Sequence, residues 1–113
     1  MNKQLKVAEL QLLTKTDHMA VFDRQILDHQ TLNDAALGQE ILQLFAGQLS
    51  RLEKADWTKL ELPFEMHTLR GAAAVVGAQQ IEALARQWKQ LGSDLEHALR
   101  GAIKSFRRAA KAA

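Results

Sequence analysis

The sequence has no cysteine and a single proline, and only 5% of its residues are aromatic. The missing thiols exclude disulfides, thiolate metal ligands and a cysteine nucleophile, and they suit a reducing compartment. One proline and six glycines are too little turn chemistry for a barrel or sandwich of many short strands. No apolar run approaches the length of a membrane span. The opening MNKQLKVAELQLLTKTDHM is no secretory leader either, because Lys6, Glu9 and Gln11 interrupt it. Net charge is only +2 and selects no class of partner.

What is present is a strong helix-forming alphabet of Ala, Leu, Gln, Glu, Lys and Arg. With 113 residues, 47% of them hydrophobic and 25% charged, the chain suffices for one globular domain with a modest aliphatic core. The basic run Arg100, Lys104, Arg107, Arg108 and Lys111 has no acid among it. No aromatic or glycine-rich pattern accompanies it, so it reads as a final helix complementing its own C-terminal dipole rather than as a nucleic-acid surface.

Residues 4–15 have the pattern of a short amphipathic helix, followed by a connecting segment with one helical turn near 29–35. From Gly38 to Lys54, Ile41, Leu42, Phe45, Leu49 and Leu52 form one stripe at three- and four-residue steps. Pro63 suits the first position of a second helix, and Gly77 its C-terminal stop. A third helix spans Gln79–Leu91, with Ile81, Leu84, Ala85, Trp88 and Leu91 as its stripe. Ser93, with Glu96 three residues on, forms a capping box opening a fourth. Its stripe is Leu95, Leu99, Ala102, Ile103, Phe106 and Ala110. Four such helices joined by short loops bury their stripes as an antiparallel up-down four-helix bundle. The expected architecture is therefore all-α, with an N-terminal helical extension and linker over 1–21 and the bundle over 22–113.

The segment from His67 to Ala78 carries the chemistry. At about 100° per residue, Met66, Leu69, Ala73 and Val76 fall together as a core stripe opposite His67. Pro63, Phe64, Arg70, Gly71, Ala74 and Ala78 fall within roughly 60° of the histidine. An exposed helix face normally carries Glu, Lys and Gln, whereas this one is small or apolar apart from one cation, as a docking face would be. Gly71 costs about 0.5–1 kcal/mol relative to Ala inside a helix, which close approach of another molecule one turn from His67 would justify. Arg70, three residues along, can grip phosphoryl oxygens with charge-assisted hydrogen bonds. An imidazole with an unprotonated nitrogen is a nucleophile. Together these are the requirements of phosphoryl transfer to histidine, where catalysis is mostly positioning and charge stabilisation.

This segment resembles the signature of histidine phosphotransfer (HPt) domains of multistep two-component relays: a histidine, a cation at +3, glycine at +4, small residues to +7, and a glycine with a small residue near +10. The similarity extends over roughly 22–110. Asp23, Leu27 and Leu32 resemble the family's entry helix, Ile41–Phe45 its first bundle helix, Asp56-Trp57 its approach to the histidine, and Ile81–Leu91 its hairpin partner. The resemblance implies a phosphoaccepting His67 and a phosphate-facing Arg70. It also implies that Gly71 and Ala74 leave room for an incoming receiver domain, with Pro63, Phe64 and Ala78 on the docking face. Two departures stand out. The family most often has Lys where this chain has Arg70, and Lys89 occupies a position where Gln or Glu is usual. Lys89 cannot accept a hydrogen bond but can act as a second cation.

His18, His29 and His97 lack comparable neighbours and read as solvated. Trp57 and Trp88 read as core-edge anchors. Phe64 is either a packing staple at the helix entry or part of the docking face. No two histidines stand four apart on one helix, so no zinc site is expected. No phosphate-binding loop, nucleophilic triad or ATP-binding segment is present. The chain is therefore expected to be a carrier and not an independent enzyme, with no cofactor of its own. The divalent metal of transfer would belong to the receiver's acidic pocket. Partners would be response-regulator receiver domains, a hybrid histidine kinase, or both, with no nucleic acid and no membrane. A cytoplasmic, stand-alone monomer is expected. The competing reading is a helical interaction module whose histidine is never phosphorylated.

Overall fold

The computed structural model describes residues 18–112. The expected helix over 4–15 lies outside them. Every regular element among the described residues is helical. The elements are α1 (Arg24–Gln30), α2 (Ala35–Lys54), a 3₁₀ turn (Trp57–Lys59), α3 (Leu62–Val76), α4 (Gln79–Arg86), the single turn α5 (Trp88–Leu91), a second 3₁₀ turn (Gly92–Asp94) and α6 (Leu95–Ala112). Five of these helices have seven residues or more, where four are expected.

The additional helix is α1. The Asp23 carboxylate accepts a hydrogen bond from the Gln25 amide at 3.0 Å, an N-cap that starts a helix ahead of the turn expected near 29–35. Leu27 is fully buried, whereas Leu32, grouped with it by the family resemblance, is 87% exposed. Leu32 and Asn33 are left-handed, at φ 52° and 61°, and reverse the chain into α2. There Asp34 caps the Leu37 amide at 3.0 Å, so the helix begins at Ala35 rather than Gly38.

The four longest helices pack in a closed order, α2 on α3, α3 on α4, α4 on α6 and α6 on α2, while α1 lies against α2 and α3. Between them sits one core, built from the expected stripes: Phe45, Leu49, Leu52, Met66, Leu69, Ile81, Leu84, Leu99, Ile103 and Phe106 are all buried. Burying each such aliphatic side chain stabilises the fold by about 1.5–3 kcal/mol. Phe106 meets Phe22 and Phe45 edge-to-face at 5.5 and 5.1 Å, joining α6 to α2 and to the chain entering α1.

Two expected features of the second half are corrected. The helix over 79–91 breaks at Gln87 (φ −99°, ψ 24°), leaving α4 and α5 as separate pieces. Ser93 is no N-cap: it lies within the 3₁₀ turn that runs directly into α6, and Glu96 pairs instead with Arg100 at 2.9 Å. Of the basic run, Arg100 also donates to the Glu53 carbonyl at 2.9 Å, and Arg107 pairs with Glu53 at 2.5 Å. Part of that charge therefore holds α6 against α2.

Met19–Asp23 lie along the α3–α4 corner. The Gln80 amide donates to the Ala20 carbonyl at 3.2 Å, the Gln80 side-chain amide to the Met19 carbonyl at 3.0 Å, and the Ala20 amide to the Gln79 side-chain carbonyl at 3.3 Å. The last residues of the expected linker are thus attached to α4. No helix of the described residues is long and apolar enough to cross a membrane.

Candidate functional site

The histidine helix α3 has Pro63 as its second residue and ends at Gly77, whose φ of +90° closes the last turn. Its rotation follows from what it buries. Met66, Leu69, Ala73 and Val76 are each no more than 1% exposed, so the opposite face must meet solvent. Glu65 reinforces that orientation. It is buried to 9% exposure and takes a two-pronged contact from Arg51 of α2, at 2.5 and 3.3 Å. The hydrogen bond to Glu65, offset in part by desolvation, raises the Arg51 guanidinium above its ordinary value. The approach to α3 is fixed as well. The Trp57 indole N–H donates to the Leu52 carbonyl at 3.0 Å, and Asp56 accepts from the Thr58 hydroxyl and amide at 2.6 and 3.0 Å.

His67, Arg70, Gly71, Ala74, Pro63 and Phe64 are consequently all exposed. Phe64 is 65% exposed and is not an inward-packing staple. Ala78 is the exception. Helical geometry would carry it onto this face, but the helix has already ended at Gly77, and Ala78 is fully buried at the start of α4. It belongs to the core and is not a docking residue. A side-chain carbon added at Gly71 would meet nothing within 4 Å, so no contact within the described chain calls for glycine there.

The face around His67 has two unlike flanks. On one side Gly71, Phe64 and Val75 lead toward α2, where Leu44 is 72% exposed beside a small groove that Val75 also lines. On the other side a groove of about 270 Å³ runs between α3 and α4–α5, lined by Pro63, His67 and Arg70 together with Arg86, Trp88 and Lys89. Lys89 thus shares a cleft with His67 and Arg70, and its ammonium lies 5.6 Å from the centre of the Trp88 ring. Trp88 packs on the core and lines the cleft at once.

Sequence reasoning missed Arg86. It stands three residues before Lys89, but the helix breaks between them at Gln87, so helical spacing does not mark it, and only the placing of α4–α5 beside α3 brings it into the cleft. Its guanidinium pairs with Glu82, one turn back on α4. Among the described residues no group of three or more His, Asp or Glu side chains could hold a metal ion. What the cleft offers is an exposed imidazole lining one groove with Arg70, Arg86 and Lys89, beside an open apolar surface.

Comparison with protein-family models, curated proteins and solved structures gives no match to this chain.

Proposed function

We propose that this chain is a histidine phosphotransfer module of a multistep phosphorelay. In this reading α2, α3, α4–α5 and α6 form the antiparallel four-helix bundle, and α1 is its entry helix. His67 accepts a phosphoryl group from a receiver-domain aspartate and passes it to another response regulator. In the forward step the acyl-phosphate P–O bond breaks and a P–N bond forms to the imidazole. The aspartate leaves as carboxylate, and the ring, attacking through its unprotonated nitrogen, gives up the single proton on its other nitrogen to solvent. The reverse sequence loads the next aspartate. Arg70 holds the phosphoryl oxygens and Lys89 adds charge from across the cleft. Gly71 and Ala74 leave room for the receiver, which supplies its own divalent metal. The protein acts as a cytoplasmic, monomeric carrier without turnover of its own.

One observation carries this reading. His67 stands exposed with a guanidinium one turn along and, beside it, a glycine that no contact within the described chain explains. The test is incubation with phosphorylated receiver domains. Acid-labile, base-stable label is expected on the wild type and absent from His67→Ala. A second reading, an interaction module without phosphotransfer, draws on the exposed Leu44, Phe64 and Val75 beside the histidine. Stable binding of a receiver with no label on His67 would decide for it.

A further inference from the structure

Arg86 borders two cavities. On one side it lines the His67 cleft. On the other it lines a neighbouring space of about 230 Å³ with Met19, Ile26, Ala74, Gly77 and Glu82. Glu82 lines only the second. In the free protein the guanidinium is therefore held by a carboxylate that lies outside the cleft. Resting on the phosphohistidine reading, we propose that Arg86 is a gated phosphate-binding residue: Glu82 holds it while His67 is free, and the phosphoryl group on His67 draws it across.

The balance of charges favours the exchange. An exposed pair four residues apart on a helix is weakly bound, and the Arg86 and Glu82 side chains are 54% and 22% exposed. A phosphoryl group carries a charge of about −1.5 to −2 and three acceptor oxygens, against one unit for a carboxylate. A guanidinium meets such oxygens two at a time, which the Lys89 ammonium cannot do. Arg86 is also the last residue of α4, directly before the break at Gln87, where the helix continues only as the separate turn α5. Since Arg70 and His67 both stand on α3, Arg86 would bring a phosphate ligand from α4 and close the hairpin over the loaded histidine. It would leave Glu82 without its cation, so the phosphorylated state would be marked in the neighbouring cavity too.

The test uses the full chain loaded with potassium phosphoramidate. The reagent's P–N bond breaks, a P–N bond to His67 forms, and ammonia leaves with the proton the ring gives up. ³¹P NMR then follows the pH at which the phosphoryl group loses its last proton. The charged groups around it are Arg70 on α3, Arg86 on α4 with Glu82 behind it, and Lys89 on α5. A cation favours the dianion. Arg86→Gln is expected to weaken that ionisation by about 1.5- to 5-fold, with Arg86→Lys between it and wild type. Glu82→Gln should strengthen it, and by more when Arg86 is present than in an Arg86→Gln background. Should Arg86→Gln fail to fold, the Arg86→Lys and Glu82→Gln proteins carry the comparison. An unmoved midpoint in Arg86→Gln overturns the proposal, as does an equal effect of Glu82→Gln in both backgrounds, which would be bare charge removal. A wild type that takes no phosphoryl group on His67 overturns the underlying reading as well.

Discussion

The Asp23 amide donates to the Gly77 carbonyl at 2.8 Å, so the start of α1 is joined to the end of the histidine helix. The contact is possible only because residue 77 has no side chain. A Cβ there would sit 2.3 Å from the Asp23 carbonyl oxygen, and the backbone is left-handed at φ +90°. Gly77→Ala therefore meets two penalties. Left-handed backbone costs an L-residue about 1–2 kcal/mol, and relieving the overlap displaces the Met19–Asp23 segment. We expect a loss above 1–2 kcal/mol in denaturant unfolding, with raised amide exchange in residues 19–27. Unchanged stability would mean that this corner yields without cost.

Much of this arrangement is legible in the sequence. The stripes of α2, α3 and α6 recur with the helical period, so Leu49, Leu69 and Leu99 are identifiable as core from spacing alone, and the outward face of His67 follows from where Met66 and Leu69 must go. What the sequence conceals depends on tertiary contacts. Helix α1 has too short an apolar pattern for periodicity to give more than a turn near 29–35; only the family resemblance suggests an entry helix there, and in the structure it rests on the Asp23 cap and the burial of Leu27. Ala78 fits the His67 face on a continuous helix, but the chain turns at Gly77 first. Ser93 and Glu96 have capping-box spacing, yet the preceding 3₁₀ turn and Arg100 take them elsewhere. Arg86 is invisible as a site residue until α4 is laid beside α3.

The Arg51–Glu65 pair reinforces the rotation of α3 and joins it to α2. Arg51 is 53% exposed while the Glu65 side chain is only 12% exposed, so the two ends are not equivalent. Arg51→Ala strands a largely buried carboxylate and should cost about 1–3 kcal/mol. Arg51→Ala combined with Glu65→Gln leaves no stranded charge and should recover part of that loss. Chemical denaturation of the three proteins checks the order wild type, double variant, Arg51→Ala.

Asp56 gives the approach to α3 a pH dependence. Its hydrogen bonds from the Thr58 hydroxyl and amide hold its carboxyl below the usual carboxylate range. A group whose folded pKa is depressed binds its proton more readily when unfolded. Its stabilising contribution is therefore complete above the ordinary carboxylate pKa, and falls away as pH drops through the lower, folded value. Wild type should thus lose stability across that acid window more steeply than Asp56→Asn. Unfolding curves at a series of acid pH values compare the slopes, and parallel slopes would show that this turn contributes nothing to the acid limb.

On the proposed phosphotransfer function, a substitution at Gly71 separates docking from chemistry. Among the described residues, nothing beyond its own helix lies within 4 Å of a Cβ added there, and the position faces solvent, so Gly71→Leu should fold normally. It should even gain about 0.5–1 kcal/mol from helix propensity. A leucine projecting beside His67 would hold a receiver's acidic pocket away from the imidazole, where a displacement of about 1 Å can cost about 100-fold in rate. Transfer from a phosphorylated receiver should therefore slow by about 10- to 100-fold. Loading by phosphoramidate should stay near the wild-type rate, because so small a donor needs no docking surface. If both rates fall together, the leucine has disturbed the imidazole itself. If neither falls in a folded variant, close approach is not the reason for glycine at this position.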